Sequence, residues 1–144
     1  MNREEAIATA KAFQERSGAT RVVLLLDDDN GTVMIDAEPH AITVTDNDAT
    51  TTVDAPSAAP KPLHRLTPVP ATAITIDTET GELAAPLGTI EHLARATHDL
   101  AAAFGGKTVA TAEFATSDPE LPITFAAREG ERVVLGAGDA QYEL

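Results

Sequence analysis

The sequence contains no cysteine and no tryptophan, and its aromatic side chains are limited to four phenylalanines and one tyrosine. Without cysteine, the chain can form no disulfide, no thiolate metal site and no cysteine nucleophile. With so few aromatic residues, the core must be built mainly from alanine, valine, leucine and isoleucine. The composition therefore predicts helices packed closely on a sheet through small side chains.

Long apolar runs are also missing. No run approaches the roughly 20 residues that a membrane-spanning helix requires. The first residues, MNREEAIATAKAF, are acidic and lack the apolar centre of a secretory signal. We therefore expect a cytoplasmic protein without a membrane partner.

Basic residues are scarce: the chain has 10 Lys and Arg against 23 Asp and Glu, which gives a net charge of −13. A surface of this charge repels the phosphate groups of nucleic acids and of anionic lipids. Nucleic acid is therefore not an expected partner. The acidic surface is interpreted as one that keeps the protein soluble or that meets a basic partner.

Motifs typical of enzymes are absent as well. The sequence has no G-x-S-x-G stretch, and FGGK at 104–107 follows a predicted helix, whereas a phosphate loop precedes one. His92 and His98 are six positions apart, which is not the i,i+4 spacing of helical zinc sites. His40 and His64 lie in separate segments. We therefore expect no catalytic residue, no metal site and no cofactor.

Hydrophobic periodicity predicts a single α+β domain over residues 1–144. Helices are predicted at 3–17 and 89–104, ended by Gly18 and by Gly105. Strands of a mainly antiparallel sheet are predicted at 20–28, 32–38, 41–46, 107–116, 122–129 and 131–137, and residues 72–83 are predicted as a strand that ends in a turn at Thr80-Gly81. The resulting order is αβββ, loop, β, αβββ, with both helices packed on the sheet. The repetition of αβββ suggests a duplicated unit.

The acidic stretch LLLDDDNGTVMIDAE, residues 24–38, has three interpretations: a calcium loop, a catalytic carboxylate cluster or a hairpin turn. A calcium loop of the EF-hand type needs carboxylates at its first and last positions. With Gly31 in its required place, those positions are occupied by Leu26 and Ala37. The segments on either side also have the pattern of strands, so the calcium loop is excluded.

A hairpin explains the same stretch better, because Asn-Gly is the preferred pair for a two-residue type I′ turn. With Asn30-Gly31 as that turn, Leu26 is predicted to face Ile35 and Leu24 to face Ala37. This register places six apolar residues on one face: Val22, Leu24, Leu26, Val33, Ile35 and Ala37. The aspartates are then expected to be solvated residues beside the turn.

Three further apolar residues, Val23, Leu25 and Met34, fall on the acidic face of this hairpin. Strands that are apolar on both sides are typically covered on both faces. The cover is either a helix of the same chain or a second subunit or bound partner. The second alternative makes Val23, Leu25 and Met34 candidate partner-binding residues.

Residues 47–71 are predicted to form a long proline-rich loop, since APSAAPKPLHRLTPVPA at 55–71 contains five prolines. The loop contains a basic cluster, KPLHRL. In one interpretation, Leu63 and Leu66 anchor the loop while Lys61 and Arg65 lie over acidic strands. In the other, the segment recognises a partner, which makes Leu63, Arg65 and Leu66 candidate partner-binding residues.

Together these features favour a non-enzymatic cytoplasmic interaction protein, either a homodimer or a subunit of a hetero-complex, in a chaperone- or adaptor-like role. The partner is then a second copy or another protein. The alternative hypothesis is a small-molecule or metal-binding domain with a pocket between sheet and helix, gated by residues 55–70.

Overall fold

The computed structural model describes residues 3–28, 31–47, 49–54, 56, 58–63, 69, 73–77 and 79–144. These residues form two helices and ten strands: α1 (Arg3–Ser17), β1 (Arg21–Asp28), β2 (Gly31–Ala37), β3 (Ile42–Asp46), β4 (Ala49–Val53), β5 (Thr75–Ile76), β6 (Leu83–Ala84), α2 (Thr89–Phe104), β7 (Val109–Phe114), β8 (Ile123–Arg128), β9 (Val134–Ala137) and β10 (Ala140–Glu143). The predicted bounds of both helices are confirmed.

Eight of the strands form one sheet in the order β10-β9-β8-β7-β1-β2-β3-β4. Every neighbouring pair in this sheet is antiparallel. Strands β5 and β6 pair separately as a small hairpin. The predicted α+β class with a mainly antiparallel sheet is therefore confirmed.

The topology has an approximate twofold relation about the centre of the sheet. Each half is a helix followed by a four-stranded meander, and the halves meet where β1 pairs with β7. The ladder between these strands runs from Arg21 opposite Glu113 to Leu25 opposite Val109. Strands β4 and β10 therefore occupy equivalent positions at the two outer edges. A duplication behind this relation stays a prediction.

Both helices pack on the same face of the sheet. Helix α1 contributes Ala10 and Phe13, and α2 contributes Leu93 and Leu100, to one continuous core. The sheet side of this core consists of alternate strand residues: Val22, Leu24, Leu26, Val33, Ile35, Ala37, Ala110, Ala112, Ile123, Phe125, Ala127, Leu135 and Ala137. The core is rich in alanine, as the composition predicts, and the small side chains of β7 allow α2 to lie close to the sheet.

The hairpin of β1 and β2 keeps the predicted faces but not the predicted register. Leu24 lies opposite Ile35 and Leu26 opposite Val33, and Gly31 is paired with Asp28. The register is therefore shifted by two residues from the prediction. Because side chains alternate with a period of two, such a shift leaves the same six apolar residues buried, so burial alone does not distinguish the registers. Asp29 and Asn30 lie outside the described residues.

The predicted loop from residue 47 is wrong at its beginning, where Ala49–Val53 forms β4. Four residues of this strand are exposed and the fifth is half-buried. An exposed edge strand has no alternation of apolar and polar residues, so hydrophobic periodicity does not reveal it.

The strand predicted before the turn at Thr80-Gly81 is shorter than expected, since only Thr75–Ile76 belongs to it and pairs with Leu83–Ala84. The turn itself is present, with Gly81 at φ +74°. The Asp77 carboxylate ends β5 by accepting hydrogen bonds from the backbone N–H groups of Glu79, at 2.9 Å, and Thr80, at 3.3 Å. These two hydrogen bonds lower the pKa of Asp77 below its usual range.

The part of the proline-rich segment around Lys61 and Leu63 lies on the helix side of the domain. The backbone N–H of Lys61 donates to Thr9 Oγ1 at 2.9 Å, and Lys61 Nζ lies 3.3 Å from Glu5 Oε1. The same ammonium lies 5.6 Å from the ring centroid of Phe104 on α2. Lys61 thus contacts both helices and does not lie over acidic strands, which corrects that prediction. Leu63 packs against the edge of the core.

Helix α1 ends at Gly18, which has φ +82°, and Val69 N–H donates to the Ser17 carbonyl at 3.4 Å. A Cβ atom at Gly18 would lie 3.1 Å from the Val69 carbonyl oxygen. We expect Gly18→Ala to lower the free energy of unfolding by more than the roughly 1–2 kcal/mol that a left-handed alanine costs alone. The midpoint of urea denaturation measures this loss.

Gly130→Ala is the matched control, because Gly130 also has positive φ, at +78°, but a Cβ there meets nothing within 4 Å. It reports the conformational cost without the contact. Equal losses in the two variants would show that the close approach of Val69 contributes nothing.

Candidate interaction surface

The face of the sheet opposite the helices carries no element of the described chain. We call it the open face; on its central strands it consists of Arg21, Val23, Leu25, Met34, Asp36, Thr43, Thr45, Val109, Thr111, Glu113, Thr124, Ala126 and Arg128. None of these side chains belongs to the core. The helix-cover interpretation for this side of the hairpin is therefore wrong, because both helices lie on the other face.

An apolar patch lies at the centre of the open face. Leu25 on β1 pairs with Met34 on β2 and with Val109 on β7, and Val23 stands in the next row beside Thr111. Leu25 is 38% exposed, while Val23, Met34 and Val109 are half-buried. We define the apolar patch as Val23, Leu25, Met34 and Val109. The structure thus brings the three residues singled out in the sequence together.

Val109 is the member of the patch that sequence reasoning missed. Its strand alternates regularly, with Ala110, Ala112 and Phe114 buried and Val109 on the other side. The alternation could have assigned Val109 to the face opposite the core. The pairing of β7 with β1, which places Val109 beside Leu25, joins distant parts of the chain and has no local signal.

Threonines border the patch on the side of β3 and β4. Thr43 and Thr45 of β3 lie opposite Thr52 and Thr50 of β4, and the hydroxyls of Thr45 and Thr50 are 2.9 Å apart. This part of the open face is uncharged and carries hydroxyl groups that can donate and accept hydrogen bonds. An apolar centre with a polar border is the usual anatomy of a protein interface.

A bidentate ion pair lies beside the patch. Arg21 Nε donates to Asp36 Oδ1 at 2.9 Å and Arg21 Nη2 to Asp36 Oδ2 at 2.6 Å, with Glu38 Oε1 at 3.8 Å from Nε. The hydrogen bond to Asp36 raises the pKa of Arg21 above its usual value. Asp36 is only 6% exposed, so it is not the solvated residue that the hairpin interpretation predicts. The pair removes one negative charge from the neighbourhood of the patch.

The acidic side chains of the first hairpin that the structure describes do not assemble into a cation site. Asp36 is held by Arg21, and Asp27 Oδ1 accepts a hydrogen bond from Thr32 at 3.0 Å. Over the described ranges, no three His, Asp or Glu side chains are placed to hold a metal ion. None of the described helices is long and apolar enough to cross a membrane.

A separate cavity of about 710 Å³ runs along the outer side of α2, facing residues 131–133 and Leu144. Its lining combines apolar, basic and acidic side chains: Ile90, Ala94, Val133, Arg95, Arg132, His92, His98, Glu91, Asp99 and Glu131. His92 and His98, which the sequence places on different helix faces, thus border one cavity. No described residue of the proline-rich segment lines it, so a gating role for 55–70 has no support from its position.

The candidate residues from the proline-rich segment do not join the apolar patch. Leu63 packs against the core on the helix side, as its anchoring interpretation predicts. Arg65 and Leu66 lie outside the described residues. Of the candidates that the structure describes, Leu63 lies on the helix side, and Val23, Leu25 and Met34 lie together on the open face.

The chain matches no known protein family, no curated protein sequence and no solved structure.

The buried carboxylate of Asp36 depends on Arg21 for its hydrogen bonds. We expect Arg21→Ala to lower the free energy of unfolding by about 1.5–3 kcal/mol, the usual contribution of hydrogen bonds to a charged group. Arg21→Lys should recover only part of this loss, because an ammonium group cannot form the bidentate pair. Urea denaturation measures both variants.

Arg16→Ala is the control for the loss of an arginine, since Arg16 is exposed and has no ion pair among the described residues. We expect it to change stability by less than about 0.5 kcal/mol. A loss in Arg21→Ala no greater than that in Arg16→Ala would contradict a stabilising role of the ion pair.

Proposed function

We propose that the protein is a non-enzymatic interaction domain that binds another protein through the apolar patch of its open face. The observation that supports this most directly is the position of Leu25. It lies 38% exposed on a central strand, in contact range of Met34 and Val109, while the alternate apolar residues of the same strand are buried. A contiguous group of apolar residues on a solvent-facing part of a sheet supports an interaction site here.

Charge favours a basic partner. Asp27 borders the patch on β1 and Glu113 borders it on β7, and Arg128, opposite Val109, lies 3.8 Å from Glu131. Sheets that pack face to face lie about 10 Å apart, which is close to the Debye length of about 8 Å at physiological salt. Two copies with a net charge of −13 each would repel in that arrangement. A partner with apolar side chains surrounded by lysine and arginine would be attracted.

The proposed complex has a simple division of roles. The apolar patch supplies the desolvated centre that contributes most of the binding free energy, and the threonine hydroxyls around it hydrogen-bond at the border. The acidic surface accelerates encounter with a basic partner and makes binding sensitive to salt. Acting on partner proteins inside the cell, the domain would serve as an adaptor or a chaperone and would need no cofactor.

Leu25→Asp and Met34→Asp are expected to weaken partner binding by about 30-fold or more, which corresponds to roughly 2 kcal/mol at a central interface residue. The wild type is first used to isolate partners from cytosol at low salt. Binding of each purified partner is then measured by calorimetry, and circular dichroism checks that the variants stay folded.

Leu87→Asp is the matched control, because Leu87 is a fully exposed leucine outside the patch. We expect it to bind like the wild type. A partner that binds Leu25→Asp and wild type equally, or whose affinity does not fall with added salt, would contradict the proposal. A wild-type dimer that Leu25→Asp dissociates would instead show that the patch serves self-association.

A second candidate function is the binding of a small organic anion in the cavity along α2. Its volume of about 710 Å³ is within the range of ligand sites. Ile90 and Val133 provide apolar walls, and Arg95 and Arg132 have no ion-pair partner among the described residues. Glu91, Asp99 and Glu131 line the same cavity, so a ligand whose carboxylate or phosphate contacts these guanidinium groups would also have to present positively charged or hydrogen-bond-donating groups to the three carboxylates.

This candidate predicts that some metabolite anions raise the melting temperature of the wild type, because a ligand bound only by the folded state stabilises it. The increase should be lost in Arg132→Ala and kept in Arg16→Ala, which removes an unpaired arginine outside the cavity. A screen of metabolite anions without any rise in melting temperature would argue against the site.

A further inference from the structure

Strand β4 forms one edge of the sheet, and no described strand pairs with its outer side. Ala49, Thr50, Thr51 and Thr52 are exposed, and Val53 is half-buried. An edge strand of this kind presents unpaired backbone N–H and C=O groups and is a template for another strand. The outer side of β4 is therefore a surface on which backbone pairing is available.

Within β4 the usual protection of an edge strand is missing, and charge flanks the strand only at its two ends, as Asp48 and Asp54 in the sequence. Ala49–Val53 contains no lysine, no proline and no charged residue, and its ladder with β3 is continuous, without a bulge. Threonine and valine also favour the extended conformation. The chain has 23 acidic residues, but the five residues of this edge strand are uncharged. Two copies can therefore approach each other here with less repulsion between their charges than at an acidic part of the surface.

The hairpin geometry determines which backbone groups point outward. Asp46 lies opposite Ala49, so the connection from β3 to β4 has two residues. The residues that close such a hairpin exchange backbone hydrogen bonds, and bonded and non-bonded pairs then alternate along the ladder. Thr51 and Val53 consequently bond to β3. The N–H and C=O groups of Thr50 and Thr52 point away from the sheet.

We propose that β4 pairs in antiparallel fashion with β4 of a second copy of the chain, about a twofold axis at Thr51. In this register Thr50 exchanges two backbone hydrogen bonds with Thr52 of the second copy, and Thr52 does the same with Thr50. Ala49 lies opposite Val53. The segment Ala-Thr-Thr-Thr-Val is nearly palindromic, so all five residues find a chemically similar partner.

This pairing joins the two eight-stranded sheets into one sheet of sixteen strands. The copies lie side by side, and the five paired residues are uncharged. The register assigns Asp54 of each copy to position 48, also an aspartate, of the other, so like charges flank the contact at both ends and weaken it at low salt. The open faces become continuous, with two apolar patches directed to the same side. The inference concerns a different surface from the proposed function and does not depend on it.

Salt distinguishes this association from the binding of a basic partner. Two acidic copies repel at long range, and raising the salt from about 0.1 M to 1 M shortens the Debye length from roughly 10 Å to 3 Å. Self-association through β4 should therefore strengthen with salt, whereas binding of a basic protein should weaken. A strand edge alone buries less area than a standard interface, so we expect a weak dimer that depends on concentration.

Thr51→Cys tests the register directly, because the chain contains no other cysteine. Non-bonded antiparallel pairs have Cα atoms about 4.5 Å apart, a distance that a disulfide spans. We expect mild oxidation with glutathione disulfide to convert this variant to a covalent dimer, seen by mass spectrometry and non-reducing electrophoresis. Gln141→Cys, on the opposite edge strand β10, is the matched control and should stay monomeric.

Thr50→Pro supplies a second test. Proline removes an outward N–H group and leaves the ladder with β3 intact, whereas Thr50→Val keeps that group. We expect sedimentation equilibrium at high salt to show a dissociation constant raised about tenfold or more in Thr50→Pro and little changed in Thr50→Val.

Specific outcomes would overturn the proposal. The first is the absence of disulfide dimers in folded Thr51→Cys, and the second is equal cross-linking in Gln141→Cys. The third is the formation of mixed dimers when the two cysteine variants are combined, which would indicate that β4 pairs with β10. Self-association that weakens with salt, or that Leu25→Asp abolishes while Thr50→Pro does not, would also reject pairing through β4.

Discussion

The antiparallel ladder between β1 and β7 is the interaction on which the rest of the structure depends. It joins two units, each of one helix and four strands, into a single sheet. The inner edge strand of each unit, β1 or β7, is thereby paired with the inner edge strand of the other. Without it, each half would be a four-stranded meander with one helix and an exposed central edge. The ladder also brings Val109 beside Leu25, so the apolar patch exists only when both halves are folded and joined.

Two helices can cover only one face of an eight-stranded sheet, and this limit explains the division of the surface. The covered face holds the alanine-rich core, in which Phe114 and Phe125 make an edge-to-face contact with ring centroids 5.7 Å apart. The other face carries threonines, an ion pair and a small apolar centre. Successive side chains of a β-strand point to opposite faces, so the sequence of one strand determines residues on both faces. In β1, Val23 and Leu25 are apolar although they lie on the face away from the helices, and they locate the apolar part of that face.

Local patterns predict much of this fold, and the failures have physical reasons. Helical periodicity defines both helices, and alternation assigns the buried residues of β1 and β2, because each of these signals reports burial. The register of that hairpin is not defined, since a shift by two residues preserves every face. Strand β4 escapes prediction because exposure removes its alternation. The position of Val109 beside Leu25 is not predicted, because the pairing of β1 with β7 joins distant parts of the chain.

The position of Lys61 has a consequence for how the molecule unfolds. Its ammonium contacts Glu5 of α1 and the ring of Phe104 of α2, on the side of the domain opposite the ladder of β1 and β7. The two halves are thus connected at the sheet and again across their helices, and neither half can open without loosening a contact of the other. Such a double connection opposes independent opening of the halves, with the ladder of β1 and β7 as the main link and the contacts of Lys61 as a weaker one.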